Sequence, residues 1–319
     1  MTLHEITIEV TQRCPNRCIY CSSLSDATKP QFLDFETICR VVDDAKSLGA
    51  KSVSISGGEP FLHPDIIKIA AYIHAQGLKC HLYTSGIMFS ESGKPVSVPT
   101  KILGTINGKI SKLIVNIESA DERLYNLIMG TDFSGFSMMK ETIRNAVAMG
   151  ITVEAHMVPM KVNYQHIPEV VSLCVDLGVT QLSFLRLVAQ GRALENLNQV
   201  LLDREELETA KRLMKEAAGR QDIKIRLGVP FRDGAKRVNC LTGISKLDVR
   251  YDGKVYPCEA FKNDNLKQIK ADADNVKDKT LKEIYHSSDY LKQIRTLLAN
   301  FQTEPTCETC MNQYYTRKD

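Results

Sequence analysis

Long apolar runs, an excess of charge of one sign and an N-terminal export signal are all missing from this chain of 319 residues. No apolar run approaches the roughly 20 residues that a membrane-spanning helix needs, so we expect no membrane partner. The formal net charge is +3, which is nearly neutral for this length and gives no sign of nucleic-acid binding. These absences predict a cytoplasmic protein in a reducing compartment.

The composition is otherwise that of a globular protein. Hydrophobic residues make up 43% and charged residues 25% of the chain, as is ordinary for folded domains. The length allows one large domain or two ordinary ones, with a sizeable core in either case.

The first two thirds of the chain alternate strand-like and helical patterns, which predicts an α/β fold. Strand-like runs cover residues 5–11, 51–56, 79–84, 112–118, 151–158 and 181–187, and a helical pattern follows each of the first five. This alternation predicts six parallel strands. Polar residues alternate with apolar ones in these runs, whereas parallel strands buried on both faces are almost continuously apolar. We therefore predict a curved, barrel-like sheet with a polar lumen, the alternative being that the polar residues mark exposed edges.

Three of the ten cysteines, Cys14, Cys18 and Cys21, fall together in CPNRCIYC. Thiolates at this spacing can converge on one metal centre, and four-iron clusters normally have a cysteine sulfur on every iron. Three ligands would leave one iron open. Zinc fits less well, because zinc fingers combine two close thiolates with two further ligands at a similar spacing. A disulfide framework is disfavoured in a chain of this size without an export signal.

The CxxxCxxC pattern, with Tyr20 before its third cysteine, resembles the motif of the radical S-adenosylmethionine (SAM) superfamily. The resemblance implies a [4Fe-4S] cluster on Cys14, Cys18 and Cys21, whose open iron chelates SAM and whose electron yields a 5′-deoxyadenosyl radical. It also implies a partial (β/α)6 TIM-like barrel and an external one-electron donor such as flavodoxin or ferredoxin.

A glycine pair follows the second predicted strand, in the segment SGGEP. Paired glycines let a backbone approach a ligand closely. Alone the segment is a turn, but one β/α unit after CxxxCxxC it resembles the family's GGEP motif. The resemblance implies that Gly57, Gly58 and Glu59 receive the SAM ammonium group, with Pro60 completing this cofactor-binding motif.

Weaker similarities to the family follow in the same order along the chain. YTSG stands where the family has a third-strand element, and VNIES resembles a segment in which a serine and an acidic residue are common. An asparagine replaces that serine, and an amide can hydrogen-bond to the same groups. The further cofactor-binding residues implied are Thr84, Ser85, Asn116, Glu118, Asn163 and Arg186. For Arg192, in the nearby QGR segment, an ordinary surface or helix-leading role stays open.

Four further cysteines near the C-terminus predict a second metal site. Cys240 and Cys258 flank a hairpin pattern with an Asp-Gly turn, and Cys307 and Cys310 form a CxxC after a helical segment. An iron–sulfur cluster or structural zinc would each satisfy four thiolates. The set resembles the twitch half of a SPASM domain, which implies one auxiliary iron–sulfur cluster, of the [4Fe-4S] type, in a small C-terminal α+β domain.

The expected domains are therefore a barrel at 1–195, connecting helices at 196–235 and a twitch/SPASM-like domain at 236–319. The remaining cysteines Cys39, Cys80 and Cys174 lie among apolar neighbours, and we expect them to be buried core thiols.

A closed, four-thiolate auxiliary cluster favours electron transfer or structural support over substrate binding, and electron transfer would make the reaction oxidative. The resemblance therefore implies a radical SAM enzyme that abstracts a hydrogen atom and completes an oxidative change, either a dehydrogenation or a new bond. A peptide or protein side chain is the favoured substrate. One alternative is dehydrogenation or epimerisation of a sugar, nucleotide or other small metabolite, and a second is a non-catalytic iron–sulfur or zinc scaffold.

Glu154 and His156 lie on the polar face of the fifth predicted strand. We take them as candidate catalytic residues for acid–base chemistry or substrate contact. The alternative is that both only satisfy hydrogen bonds inside the barrel.

Overall fold

The computed structural model describes residues 1–228, 231, 241–262 and 267–300 of the chain. Its strands are β1 (Glu5–Thr11), β2 (Ser52–Gly57), β3 (Lys79–Thr84), β4 (Ile87–Phe89), β5 (Pro95–Ser97), β6 (Lys112–Asn116), β7 (Val153–Met157), β8 (Gln181–Phe184), β9 (Lys224–Leu227), β10 (Lys246–Val249) and β11 (Val255–Tyr256). Its helices are α1 (Phe35–Ser47), α2 (Ile66–Ala75), α3 (Thr100–Ile106), α4 (Glu122–Met129), α5 (Gly135–Ala148), α6 (Ile167–Asp176), α7 (Arg192–Glu195), α8 (Leu197–Val200), α9 (Arg204–Ala218), α10 (Leu281–Ser287) and α11 (Asp289–Ala299). Within these ranges, no helix combines the length and the apolar character that crossing a bilayer would take.

In the described part of the chain, nine strands form one sheet, in the order β11-β10-β1-β2-β3-β6-β7-β8-β9. Every neighbouring pair is parallel except β10 with β11. Strands β1, β2, β3, β6, β7 and β8 correspond to the six predicted runs, and helices connect them. The predicted α/β fold, a partial barrel built on a parallel sheet, is confirmed.

The first helix shows how the sequence sets these elements. Asp34 stands before α1, and its carboxylate accepts the backbone N–H of Thr37, which satisfies a donor that the helix itself cannot. Inside the helix Ile38, Val41 and Val42 share one face and are buried against the sheet. Each such side chain contributes about 1.5–3 kcal/mol on burial, so the apolar stripe fixes which face meets the sheet.

The C-terminal part of the described chain continues the same sheet. The predicted hairpin is present, because β10 and β11 pair in antiparallel fashion, and β10 also pairs in parallel with β1. At the other end, β9 pairs with β8, within a segment that was expected to contain only connecting helices. The hydrogen-bonded sheet therefore runs across both expected domain boundaries.

A buried ion pair fastens the C-terminal hairpin to the barrel. The Lys262 ammonium contacts Glu9 of β1 and lies 3.5 Å from Asp248 of β10, and none of the three side chains is more than 6% exposed. Burial alone would lower the pKa of Lys262, but the facing carboxylates raise it above its ordinary value. The ammonium is thus charged and holds two strands together.

Replacing Lys262 with methionine should destabilise the protein by about 3–5 kcal/mol, because two carboxylates would lose their buried counter-charge. The measurement is the free energy of unfolding in denaturant. Lys292→Met is the matched control, since its ion pair with Asp289 is exposed on both sides and should contribute less than about 1 kcal/mol. Equal losses in the two variants would contradict the proposed role of Lys262.

Candidate active site

The carboxyl ends of the central strands surround a cavity of about 460 Å³. One wall is the segment between β1 and α1, residues 12–34, which carries CPNRCIYC and is called the cysteine loop below. The predicted site residues that line the cavity are Cys14, Cys18, Tyr20, Cys21, Gly57, Gly58, Thr84, Ser85, Asn116, His156 and Arg186. Parallel strands bring these distant positions together because their carboxyl ends meet at one edge of the sheet.

The three thiols of the cysteine loop share this cavity. Burial and the neighbouring thiols raise the pKa of Cys14 and Cys18, so bound iron would displace protons that the thiols otherwise keep. Asn16, between them, is 1% exposed, and neither of its amide atoms has a hydrogen-bond partner among the described residues. Buried polar atoms normally find a partner. The donor set and this amide fit a [4Fe-4S] cluster and SAM in the cavity.

The cysteine loop is held by direct contact with glycine backbone. A Cβ on Gly58 would lie closer than 3.0 Å to the carbonyl oxygen of Arg13, and Gly58 N–H donates to the carbonyl of Thr11 at 2.6 Å. A Cβ on Gly130, where α4 ends with φ +61°, would clash in the same way with the carbonyl of Arg17. The paired glycines of SGGEP are thus required for packing as well as for access to a ligand.

Arg192, which follows β8 in the chain, hydrogen-bonds to the backbone of the cysteine loop. It is 5% exposed, its Nε donates to the carbonyl of Cys18 at 2.9 Å, and its Nη2 donates to the carbonyl of Ser25. A surface role is therefore wrong for this residue. No described carboxylate forms an ion pair with it, and its positive charge favours the thiolate form of Cys18. Only the QGR segment hinted at this role in the sequence.

Tyr20, Asn116 and Glu118 form one hydrogen-bonded group. Tyr20 Oη donates to Glu118 Oε1 at 2.6 Å, Asn116 Nδ2 lies 3.3 Å from the same oxygen, and the Val158 N–H donates to Glu118 Oε2 at 2.9 Å. Burial raises the pKa of Glu118 to about 7, although these hydrogen bonds act in the opposite direction and lower it. Glu118 is not among the cavity-lining residues, so in this geometry it positions Tyr20 and Asn116 and leaves cofactor contact to them.

Glu59 also lies behind the cavity wall. Its carboxylate accepts Thr84 Oγ1 at 2.8 Å, the Ser85 N–H at 2.8 Å and Ser85 Oγ at 2.7 Å, and thereby ties the end of β2 to the end of β3. Burial raises its pKa to about 7. Pro60 is buried beside it at the start of a short 3-10 turn. The backbone of Gly57 and Gly58, and not the Glu59 carboxylate, is what the motif presents to the cavity.

Asn163 is fully buried and its amide is satisfied by the protein itself. Nδ2 donates to the carbonyl of Glu118 at 2.9 Å, and Oδ1 accepts the Met160 N–H at 2.7 Å. It does not line the cavity. The geometry assigns Asn163 to the support of the turn after β7, and its contact with SAM stays a prediction without geometric support.

The two candidate catalytic residues are placed differently. Glu154 forms an ion pair with Lys112 at 2.7 Å and does not line the cavity. His156 lines it, and burial together with the charges of Arg226, Lys112 and Lys246 lowers its pKa to about 3. Its imidazole is therefore neutral at physiological pH and packs edge-on to Tyr83, with ring centroids 5.4 Å apart. Of the pair, only His156 is positioned to contact a substrate.

The other cysteines divide into two groups. Cys80 and Cys174 are buried in the core, as expected, and burial raises the pKa of each thiol to about 12, while Cys39 is half-buried on α1. Cys258 follows β11 and is half-buried. Cys240, Cys307 and Cys310 lie outside the described residues, so the geometry of the second metal site stays a prediction.

Comparison with protein families agrees with this site. The family model of the radical SAM superfamily matches residues 8–174, and that of the SPASM iron-sulfur cluster-binding domain matches residues 240–311. The chain belongs to the radical SAM superfamily. It is thus an enzyme whose cofactors are SAM and a SAM-binding [4Fe-4S] cluster, with auxiliary iron–sulfur chemistry in the C-terminal domain.

Individual relatives extend the likeness over nearly the whole chain. The PqqA peptide cyclase of Ruegeria pomeroyi is 27% identical over 307 residues, which cover 95% of this chain and 78% of that protein. Streptococcus suis SuiB bound to its precursor peptide SuiA has a TM-score of 0.74 at 18% identity, covering 98% of this chain and 71% of SuiB. Native anSMEcpe with bound AdoMet has a TM-score of 0.68 at 18% identity, covering 97% and 86%. The two structures share the fold with this chain.

Gly130→Ala should remove SAM binding at the cluster, because the added methyl group would push the cysteine loop away at Arg17. The measurement is the change in the electron paramagnetic resonance spectrum of the reduced, reconstituted protein when SAM is added. Gly77→Ala is the matched control, since Gly77 also has a positive φ, +73°, and a Cβ added there would meet nothing within 4 Å. A normal SAM response in Gly130→Ala would refute the packing argument.

Proposed function

We propose that this radical SAM enzyme carries out an oxidative modification of a side chain in a peptide or protein. The observation that supports this most directly is the extent of the cavity. It is lined by Cys14 and Cys18 on one wall and by Lys246, Glu259 and Lys262 of the C-terminal region on another. Glu259 directly follows Cys258, so a substrate in this cavity would lie between the two metal-binding regions.

The chain's own residues hold the reactants in place. We propose that the backbone of Gly57 and Gly58, together with Thr84, Ser85 and Asn116, binds SAM, and that Tyr20 packs beside it. When bound there, the cluster and SAM would supply radical chemistry, namely a 5′-deoxyadenosyl radical able to take a hydrogen atom from substrate carbon. His156 then serves as a neutral hydrogen-bonding group in the same cavity.

An oxidative outcome is favoured by the thiols of the cavity. A reaction that ends in epimerisation needs a hydrogen-atom donor, for which a thiol is suited. Among the described residues, the only cysteines that line the cavity are Cys14, Cys18 and Cys21, which the cluster would occupy. The substrate radical is then expected to lose an electron to the auxiliary cluster instead.

A peptide substrate is favoured by the relatives. One is named for cyclising the peptide PqqA, and SuiB has been crystallised with its precursor peptide. The cluster also needs an electron from outside for each SAM cleaved, and we propose flavodoxin or ferredoxin as the donor. A reducing cytoplasm would suit such oxygen-sensitive chemistry.

Cys14→Ala should abolish formation of 5′-deoxyadenosine, because the cluster would lose one of its three protein ligands. Anaerobically reconstituted protein is mixed with SAM and dithionite, and 5′-deoxyadenosine is quantified by mass spectrometry. Cys39→Ala is the control, since that thiol lies on α1 away from the cavity. Cleavage of SAM by Cys14→Ala at the wild-type rate would overturn the assignment.

The substrate is tested with short peptides encoded beside the gene for this chain. A peptide that loses two hydrogen atoms, with deuterium passing from a labelled side chain into 5′-deoxyadenosine, would support the proposal. Deuterium transfer only from a small metabolite would overturn it.

A further inference from the structure

Four inward-facing residues form a row across the sheet, from the cysteine loop towards strand β9. The strand register pairs Asn116 with His156, His156 with Ser183, and Ser183 with Arg226. Asn116, His156 and Arg226 all line the cavity, and Ser183 is fully buried between the last two. The row starts at Asn116, whose amide lies 3.3 Å from Tyr20 Oη, and it ends at the edge strand.

The row ends on Arg226, a cation without an acidic partner among the residues that the structure describes. Arg226 Nε donates to Ser183 Oγ at 3.1 Å, and no described carboxylate forms an ion pair with it. The two lysines of the cavity do have acidic partners, because Lys246 pairs with Glu259 at 2.9 Å and Lys262 pairs with Glu9. The guanidinium of Arg192 is held by the backbone carbonyls of Cys18 and Ser25. A guanidinium carries five N–H donors in a planar fork that fits a carboxylate. Most of the donors of Arg226 are therefore available to a ligand.

The middle of the row offers no competing charge. The His156 side chain is 5% exposed, and no described residue hydrogen-bonds its ring, so it can donate to or accept from a neutral group of a ligand. Ser183 Oγ is taken up by Arg226 and by Gln181 Nε2 at 3.2 Å. Among the described residues of this row, an anion entering the cavity thus meets one positive charge without a carboxylate partner, at Arg226.

The distance along this row can be estimated from the spacing of neighbouring strands. Neighbouring strands lie about 4.8 Å apart, so Arg226 is about 10 Å from His156 and about 14 Å from Asn116. An extended peptide advances about 3.3 Å per residue. The distances from His156 and from Asn116 to Arg226 therefore correspond to about three and about four residues, respectively.

We propose that Arg226 is a specificity-determining residue that binds the carboxylate of an acidic residue about three or four positions from the side chain that is modified. This inference rests on the proposed function, since it takes the substrate to be a peptide. The inference adds two details to the proposed function. The substrate peptide carries an aspartate or a glutamate, and strand β9 of the enzyme recognises that residue.

The test measures the binding of fluorescein-labelled hexaglutamate to the reconstituted holoenzyme in the presence of SAM. Binding is monitored by fluorescence anisotropy under anaerobic conditions. Hexaglutamine with the same label is the neutral probe. Charge-assisted hydrogen bonds of this kind are worth enough to change affinity by about tenfold or more. Hexaglutamate should bind at least about tenfold more tightly than hexaglutamine, and Arg226→Gln should remove that difference.

Two further variants make the result specific. Lys224→Gln removes a charge from the same strand, two residues earlier on the same face and outside the cavity lining, and should leave the affinity within about twofold. Arg226→Lys keeps the charge and should retain most of the preference. Uncoupled cleavage of SAM is measured in every variant, and Lys224→Gln should leave it unchanged, because Lys224 does not line the cavity.

The outcomes separate the two proposals. Equal binding of hexaglutamate to wild-type protein and Arg226→Gln, or no binding to the wild type, overturns the inference on Arg226. Selective binding through Arg226 in a protein that modifies no peptide supports an anion site there and overturns the proposed function alone. Loss of SAM cleavage in Arg226→Gln would place the residue in the cofactor site and overturn its role as a substrate anchor.

Discussion

The contact between the cysteine loop and the backbone around it is the constraint on which the site depends. The loop has little regular structure of its own, so its thiols are positioned by its neighbours. Its backbone is hydrogen-bonded to the end of α4 through Arg17 and Ile19, which donate to carbonyls of Met129 and Ile128 at 3.0 and 2.9 Å. Three thiols can share one cluster only within fractions of an ångström, so close backbone packing is a condition for binding it.

The same constraint explains why two carboxylates are buried behind the cavity wall. Glu59 links the ends of β2 and β3, and Glu118 links the end of β6 to the turn after β7. Each carboxylate accepts several short hydrogen bonds, which offset the cost of burying it. The ends of these strands are thereby fixed relative to one another, and small residues and backbone, such as Gly57, Gly58 and Ser85, line the cavity.

The sequence predicted the sheet and the grouping of the site better than it predicted the direction of single side chains. Regular alternation identified six strands, and CxxxCxxC with GGEP located the cavity. The side to which Glu118 points could not be predicted, because β6 ends at Asn116 and the chain then turns to meet Val158. The role of Arg192 was left open because its partners are backbone carbonyls, which leave little pattern in the sequence. Strand β9 is short, and its pattern was weaker than that of the nearby helix α9.

The charged residues on the two sides of the cavity have different roles. Towards β10, Lys246 and Lys262 are paired with carboxylates, and separating the buried Lys262–Glu9 pair to bind a ligand would leave a buried charge without its partner at a large cost. Towards β9, Arg226 is exposed, and within the described ranges its one hydrogen-bond partner is a serine hydroxyl, so a ligand carboxylate can replace water there at little cost. The β10 side can therefore fix the hairpin to the barrel while the β9 side adapts to the substrate. Because these tasks fall on opposite edges of one open sheet, substrate preference could change through β9 without disturbing the cysteine loop.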